Sequence, residues 1–262
     1  MFHIRKQLVL PAEHGAWAWL LVPFGVGVVV AGVWNTAVTL VLLGSLAAFL
    51  ARQPATIWLR VRQGKARRRD GLPAAILTLG LATVALLCLA GLLWLGYAEL
   101  LWLLLPLLPV LSLYVETAVR NRAQTRTLWL ELVGATALAV TAPAAYSAAT
   151  GQLNATAWLL WLLLGLQNGL GVTYVRLRIA DTHGRESNRW LPLLCHLIGL
   201  LVVGGLVLNN WLPGLAMLPF MAFLLRATWT WTKPRPVANI KRFGFLEVGV
   251  EIAGGLVFVA AF

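Results

Sequence analysis

Long apolar runs, separated by short polar segments, dominate the pattern of the chain. Nine of these runs are close to the roughly 20 residues that an α-helix needs to cross a bilayer. Hydrocarbon offers the backbone no hydrogen-bond partners, so runs of this length predict helices rather than open strands. The sequence therefore predicts an all-α fold, a polytopic transmembrane bundle of nine helices in a single integral membrane domain over residues 1–262. The predicted spans are 15–34, 36–53, 73–96, 98–118, 128–149, 155–178, 190–209, 212–231 and 244–262.

Composition excludes a soluble domain. Of the 262 residues, 60% are hydrophobic and 11% are charged, whereas about 25% of the residues in soluble domains are charged. Cys88 and Cys195 lie within apolar runs and belong to no metal-binding or redox motif, so both are interpreted as small buried hydrophobic residues. The first run lacks a cleavage site of small residues, which indicates a retained span rather than a removable signal peptide.

The basic residues follow the predicted topology. All 21 lysines and arginines precede the first span or lie where spans two and three, four and five, six and seven, and eight and nine are joined. The connections on the other side contain none, so the positive-inside rule predicts a cytoplasmic N-terminus and an outside C-terminus in the bacterial inner membrane. Orientation thus accounts for the net charge of +12, and because motifs for binding nucleic acid are absent, no nucleic-acid partner is expected.

An ionisable pair stands at the start of the first span. Glu13 and His14 occur in the segment PAEHGAW, between Pro11 and Gly15. A histidine beside a carboxylate titrates near neutral pH, which is typical of acid–base catalysis or substrate orientation, so both are candidate catalytic residues. The alternative interpretation is a helix cap, in which Glu13 lies at the positive end of the helix dipole.

Polar residues form a stripe along the end of the sixth span. Asn168 and Arg176 lie beside this stripe. Amide, phenol, guanidinium and carboxylate groups are costly in hydrocarbon, so the stripe is predicted to face the bundle interior or a cavity. The alternative is that these groups only hold helices together. Steps of four and three residues place the members of the stripe on one helical face: Gln167, Gly171, Tyr174, Arg178, Asp181 and Arg185.

Two further positions near span ends are candidates for binding or pairing. Arg52 ends the second span, beside Gln53 and ahead of Pro54, which is expected to break or bend the helix. This arginine either binds an anion or extends to the lipid head groups. Glu131, one turn into the fifth span, needs a cationic partner from a neighbouring helix, such as Arg178 or Arg52.

Carboxylates also occur near the ends of the fourth and last spans. Glu116 and Arg120 are four residues apart and predict an ion pair within one helix. Glu247 and Glu251 have the same spacing on the last span, where they need bases, metals or protons as partners, and Lys241 could reach Glu247. The candidate substrate-binding residues are Arg52, Glu131, Gln167, Asn168, Tyr174, Arg176, Arg178, Asp181, Lys241 and Glu247.

Short segments and span arrangement resemble two known families. The segments PAEHGAW at the first span, RQP after the second and KRFGFLE at the last resemble the YwiC-like family of polytopic bacterial membrane proteins. The arrangement of nine spans, with polar loops after spans two and six, is similar in a more distant way to the UbiA-type prenyltransferases. That resemblance implies aspartate-rich motifs in both loops, which bind Mg²⁺ and through it the diphosphate of an isoprenoid substrate.

The aspartate-rich motifs are largely replaced in this chain. Only Asp181 matches a metal-binding aspartate after span six, and after span two Arg52, Gln53 and Arg60 take the corresponding positions. Mg²⁺ requires oxygen ligands, so neither a metal site nor any other cofactor is predicted. Arginine binds phosphate or carboxylate directly, which favours an anionic head group held without a metal.

Three functions are compatible with this pattern. The first is a UbiA-like transferase or a binder of an anionic membrane lipid or isoprenoid-like small molecule, which predicts a deep cavity lined by the stripe on span six. The second is a non-catalytic assembly or accessory subunit, in which the charges join helices. The third is a proton-coupled transporter, although nine spans do not divide into two equal repeats. The sequence indicates no oligomeric state.

Overall fold

The protein is a bundle of α-helices. The computed structural model describes residues 14–120 and 127–262, and every regular element in these ranges is helical. The all-α prediction is therefore confirmed for the part of the chain that is described. Nine helices follow in chain order: α1 His14–Ala31, α2 Thr36–Arg62, α3 Gly71–Trp94, α4 Leu101–Arg120, α5 Leu128–Thr150, α6 Ala155–Thr182, α7 Trp190–Leu208, α8 Met217–Trp231 and α9 Ile240–Ala261.

Helix length and composition define a multi-pass membrane protein. Seven helices, α2 to α7 and α9, are long and apolar enough to cross a bilayer. Helix α1 is apolar but shorter, and α8 has 15 residues, preceded by a short 3₁₀ turn over Gly214–Ala216. Each of the nine predicted spans thus overlaps one helix.

Side-chain caps explain where several helices begin. The side chains of Asn35, Asn154 and Asn239 precede α2, α6 and α9 and accept hydrogen bonds from backbone N–H groups in the first turn, at 2.9, 3.2 and 3.0 Å. Asparagine is a strong N-cap because its oxygen satisfies a donor that has no partner within the helix. Glycine in a left-handed conformation ends α5, where Gly151 has a φ of 75°.

The sequence predicted that Pro54 could break or bend α2, but the helix does not end there. The helix continues from Thr36 to Arg62, and Pro54 is buried within it. A proline removes one backbone donor, and proline is tolerated inside membrane helices. The hydroxyl of Thr56 donates to the carbonyl of Arg52 at 2.9 Å, and Arg60 Nη1 donates to the carbonyl of Ala118 on α4 at 3.0 Å.

Helix α5 is broken into two segments, although the sequence predicted one continuous span. Its segments are Leu128–Leu138 and Thr141–Thr150, with a turn at residues 139 and 140. Pro143 explains the break, because its ring clashes with the carbonyl four residues earlier and it lacks a backbone donor. The Thr141 hydroxyl lies at the break and donates to the Leu20 carbonyl of α1 at 2.7 Å.

Contacts between connections distinguish two ends of the bundle. At one end, Asn35 Nδ2 donates to the carbonyl of Ala148 at 2.9 Å, and the Leu153 N–H donates to Glu99 Oε2 at 3.0 Å. At the other end lie the basic connections, where Arg178 Nε donates to the carbonyl of Arg235 at 2.9 Å. The helices therefore alternate in direction, with the described basic residues of the connections gathered at one end.

The apolar core centres on α6. This helix is the most buried of the candidate spans, and its residues Leu160, Leu163 and Leu164 are fully buried. They pack in one cluster with Phe220 of α8 and Phe258 of α9. Helices α3 and α4 are the least buried spans and expose many large apolar side chains, as expected for a surface that faces lipid.

Candidate functional site

The polar stripe on α6 faces the interior of the bundle. Gln167, Tyr174 and Asp181 are buried, and Arg178 is half-buried between them along the same face. Arg185, which was predicted to belong to the stripe, is exposed and lies beyond the end of the helix at Thr182. The chain turns away from the helical path at this point, so the helical spacing no longer places that side chain.

The deep end of the stripe joins three helices through amide groups. Gln167 Nε2 donates to the backbone carbonyl of Glu251 on α9 at 2.9 Å. Asn168 Nδ2 donates to the carbonyl of Ala135 on α5 at 2.9 Å and to that of Trp19 on α1 at 3.3 Å. Both amides are almost completely buried, and neither side-chain oxygen has a hydrogen-bond partner within the described part of the chain.

Arg178 lies at the centre of an aromatic group. Its Nη1 donates to the Tyr174 hydroxyl at 2.7 Å, and its Nε donates to the backbone carbonyl of Arg235. The guanidinium carbon lies 5.6 Å from the ring centre of Tyr174, 5.5 Å from that of Trp229 and 5.1 Å from that of Phe243. Cation–π contacts of this kind hold a guanidinium in place without neutralising its charge.

Arg235 shares the Trp229 indole with Arg178. Its guanidinium carbon lies 4.2 Å from the centre of that ring, and its buried Nε has no acceptor among the described residues. The two arginines come from α6 and from the connection between α8 and α9. We call the group of Tyr174, Arg178, Trp229, Arg235 and Phe243 the arginine–aromatic cluster.

Asp181 fixes the connections around this cluster. One of its carboxylate oxygens pairs with Arg189, before α7, and the other accepts from the Arg235 backbone N–H at 2.7 Å. Arg189 Nη1 also donates to the carbonyl of Thr230 on α8 at 2.6 Å. Asp181 therefore joins the ends of α6 and α8 to the start of α7.

Two glutamates have partners other than those that the sequence suggested. Glu131 pairs with Arg176 at 2.7 Å, rather than with Arg178 or Arg52. Glu247 pairs with Arg226 of α8 at 2.9 Å, whereas Lys241, the predicted partner, is exposed. The predicted pair within α4 forms, with Glu116 and Arg120 2.6 Å apart.

The remaining candidates either lie apart from the arginine–aromatic cluster or fall outside the residues that the structure describes. The guanidinium of Arg52 lies 4.5 Å from the ring centre of Tyr114 on α4 and 5.2 Å from that of Phe49, and Arg52 also makes other interactions. Glu13 lies outside the described residues, and His14 is described only as the first residue of α1. Their role as a catalytic pair stays a prediction.

The sequence interpretation missed Arg226, Arg235 and Trp229. Arg226 had a usable signal, because it is an ionisable residue inside a predicted apolar span. Arg235 and Trp229 had none, because a basic residue in a loop and a tryptophan near a span end are both ordinary in membrane proteins.

The described residues do not form a metal site. They contain no group of three or more His, Cys, Asp or Glu side chains arranged to hold an ion. Asp181, the residue that matches a metal-binding aspartate, already has both oxygens occupied by Arg189 and the Arg235 backbone N–H. Mg²⁺ requires several free oxygen ligands, so the Mg²⁺ implied by the UbiA resemblance does not fit here.

Two open grooves lie beside α4 rather than along the stripe. The larger, with a volume of about 610 Å³, runs between α2 and α4 and is lined by residues including Leu59, Gln63 and Glu116. The smaller, of about 240 Å³, lies between α4 and α5 near Trp129. Neither is lined by the stripe, whose polar groups instead contact α8, α9 and the connection between them.

Fold and site together define a multi-pass α-helical membrane protein with a partly buried group of arginines at one end of its bundle. The YwiC-like protein family model matches residues 10–146, more than half of the chain, and the chain belongs to that family. It is also 26% identical over 251 residues to "Uncharacterized protein YwiC" of Bacillus subtilis (strain 168), covering 92% of this chain and 93% of that relative. No solved structure gives a significant match, and the comparisons do not support the UbiA resemblance.

Proposed function

We propose that this protein binds the anionic head group of a lipid-soluble amphiphile at its arginine–aromatic cluster. One observation carries the proposal. Arg178 and Arg235 lie against the same indole, and neither has a carboxylate within 4 Å among the described residues. Two unneutralised guanidinium groups at the end of a membrane bundle favour an anionic ligand.

Three other arginines near the cluster are each balanced by a carboxylate. Arg176 pairs with Glu131, Arg189 with Asp181 and Arg226 with Glu247. Ion pairs of this kind are sufficient to explain these three arginines as structural contacts. They leave the two arginines of the cluster as a positive surplus.

The geometry of Arg178 and Arg235 suits a phosphate or carboxylate ligand. Stacking on an aromatic ring occupies the face of a guanidinium and leaves N–H donors at its edge, in the plane where oxyanions bind. Arg178 spends two donors on Tyr174 and on the Arg235 carbonyl, and the buried Arg235 Nε has no acceptor among the described residues. A ligand oxygen would complete these contacts.

The membrane setting supports an amphiphile rather than a free ion. The cluster lies at the end of the bundle that carries the basic connections, which the positive-inside rule places on the cytoplasmic side of the bacterial inner membrane. Trp229, a member of the cluster, and Phe245, two residues after Phe243, are exposed where lipid would surround the helices. A head group would bind at the arginines while its apolar tail stays in the bilayer.

Transfer of a chemical group to or from the bound amphiphile would be a more specific function at the same cluster. It would require an acid–base group near the head group, for which Glu13 and His14 are the candidates from the sequence. The described residues supply binding groups only, so head-group binding is the function that the geometry supports best. A structural subunit or a proton-coupled carrier would not need the surplus arginine pair.

The test is a binding comparison in detergent micelles. We expect the wild-type protein to bind farnesyl diphosphate more tightly than farnesol, which has the same tail without the charge. The double variant R178A/R235A is expected to lose roughly 100-fold or more in affinity for the diphosphate, since each hydrogen bond to a charged group contributes about 1.5–3 kcal/mol and at least two such bonds are lost. Microscale thermophoresis of the labelled protein measures both ligands.

Two controls make the result specific. R120A removes an exposed arginine at the end of α4 and is expected to leave diphosphate binding unchanged. Inorganic diphosphate tests whether the head group suffices without a tail. Equal binding of farnesol and farnesyl diphosphate, or unchanged affinity in the double variant, would show that the cluster is only a structural contact between helices.

A further inference from the structure

Glu251 lies far inside the bundle. It is eleven residues from the start of α9 at Ile240, a distance of about 16 Å along the helix axis. Only 6% of its surface is exposed. An ionised carboxylate at this depth is costly unless a cation neutralises it.

No cation neutralises Glu251 in the way that one neutralises Glu247. Glu247, one turn earlier on α9, pairs with Arg226 at 2.9 Å. Across the described residues, Glu251 has no basic side chain within 4.0 Å, and its Oε1 has no hydrogen-bond partner. The two carboxyl groups thus have different surroundings, although they lie four residues apart on one face of α9.

Among the described residues, the helices around Glu251 place no basic side chain within salt-bridge distance of its carboxyl group. Helix α1 contains no ionisable residue from Gly15 to Ala31, and the 3₁₀ turn Gly214–Ala216 contains none. Helix α8 contributes Arg226, which is paired with Glu247. Helix α6 contributes the neutral Gln167 together with Arg178, which lies eleven residues further along and is in contact with Phe243. The buried His196 of α7 directs its Nδ1 to the Pro192 carbonyl of its own helix, at 2.7 Å.

The side-chain oxygen of Gln167, which also lies against α9, has no hydrogen-bond donor among the described residues either. Its Nε2 binds the backbone carbonyl of Glu251, so its side-chain oxygen lies one turn further along α9, against Gly254. A Cβ atom on residue 254 would overlap this oxygen, so a side chain there would displace the Gln167 amide. The oxygen accepts no hydrogen bond from any described group. Two buried acceptor oxygens, one on Gln167 and one on Glu251, are therefore without a donor.

We propose that Glu251 carries an exchangeable proton and that the contact between α6 and α9 is a proton-binding site. A proton on the carboxyl group removes the uncompensated charge and converts one of the two acceptors into a donor. This site is separate from the arginine–aromatic cluster and does not depend on the function proposed for that cluster. Its ligand is the proton itself, supplied from the aqueous phase.

Infrared spectroscopy tests the protonation state directly. We expect the wild-type protein at neutral pH to show the carbonyl stretch of a protonated carboxyl group, shifted when the sample is transferred to D₂O. This band is expected to vanish in E251Q, whose amide has nearly the same shape as the protonated acid. It is also expected to disappear reversibly as the pH is raised.

The control is E116Q, which changes an exposed glutamate on α4 and should leave the band intact. Size-exclusion chromatography establishes that each variant is folded before its spectrum is interpreted. If the wild-type protein and folded E251Q have the same spectrum in the region of the protonated carboxyl stretch, Glu251 is ionised, which overturns the proposal. A band that neither exchanges in D₂O nor responds to pH would overturn the exchangeable site and leave a permanently protonated structural group.

Discussion

Replacing Arg226 with alanine is expected to destabilise the protein by about 3–5 kcal/mol, the cost of leaving one member of a buried ion pair without its partner. Arg226 and Glu247 are 2.9 Å apart, and their side chains are only 18% and 17% exposed. The variant would leave a carboxylate inside the bundle with no adjacent cation. Denaturant titration in mixed micelles measures the change in the free energy of unfolding.

The double variant R226L/E247L separates the stranded charge from the loss of the pair. Apolar residues of similar size often replace a buried ion pair at little cost, so the double variant should be more stable than R226A. Replacing Arg120, whose pair with Glu116 is 75% and 54% exposed, should cost less than about 1 kcal/mol. If R226A were as stable as R120A, the pair would not be buried as the structure shows.

Gly27→Ala is expected to disrupt the packing of α1 against α5. An added Cβ would overlap the carbonyl oxygen of Ala142 and lie 3.0 Å from its carbonyl carbon. Backbone atoms cannot move aside as a flexible side chain can, so the cost should reach or exceed the roughly 1–3 kcal/mol typical of overpacking. The same titration, or the melting temperature in a fixed detergent, measures the loss.

Gly25 offers a matched control on the same helix. A Cβ at this position meets nothing within 4 Å, so Gly25→Ala keeps the packing and gains up to about 1 kcal/mol of helix propensity. The two substitutions should therefore have opposite signs. Equal effects of G25A and G27A would show that α1 and α5 do not approach each other as closely as described.

Helices and their approximate limits could be predicted from sequence because each span is set by a local property, the length of an apolar run. The break in α5 was also encoded locally, by Pro143, but proline is tolerated in membrane helices and so did not settle the matter. Pro54 illustrates this ambiguity, since α2 continues through it to Arg62. A proline in an apolar run therefore marks a possible break whose outcome depends on neighbouring helices.

Ion-pair partners were harder to predict because they depend on how helices are arranged around each other. Arg176 and Arg178 are two residues apart, about 200° around a helix, and so point to opposite sides of α6. Arg176 therefore meets Glu131 on α5, and Arg178 meets the connection after α8. The sequence showed that Glu131 needed a cation, but the choice between these two arginines required the position of α5.

The arginine–aromatic cluster was the least predictable feature. Arg178 was recognisable on its helical face, but Arg235 lies 57 residues later, in a connection with no periodicity. Its position depends on hydrogen bonds made by its backbone, which any residue type could form. Its two backbone partners, Asp181 and Arg178, were visible in advance, but they were interpreted as parts of a stripe rather than as anchors for a distant loop.

The anchoring of that loop also bears on the entropy of binding. The connection between α8 and α9 is held at four backbone groups: the Arg235 N–H by Asp181, the Arg235 carbonyl by Arg178, the Val237 N–H by the Thr182 hydroxyl at 2.9 Å, and the Lys233 carbonyl by Arg189 at 3.2 Å. Ordering a residue costs about 1–2 kcal/mol of conformational entropy, and here folding has already met that cost. A ligand at Arg235 would therefore meet a preorganised loop rather than one that must first be ordered.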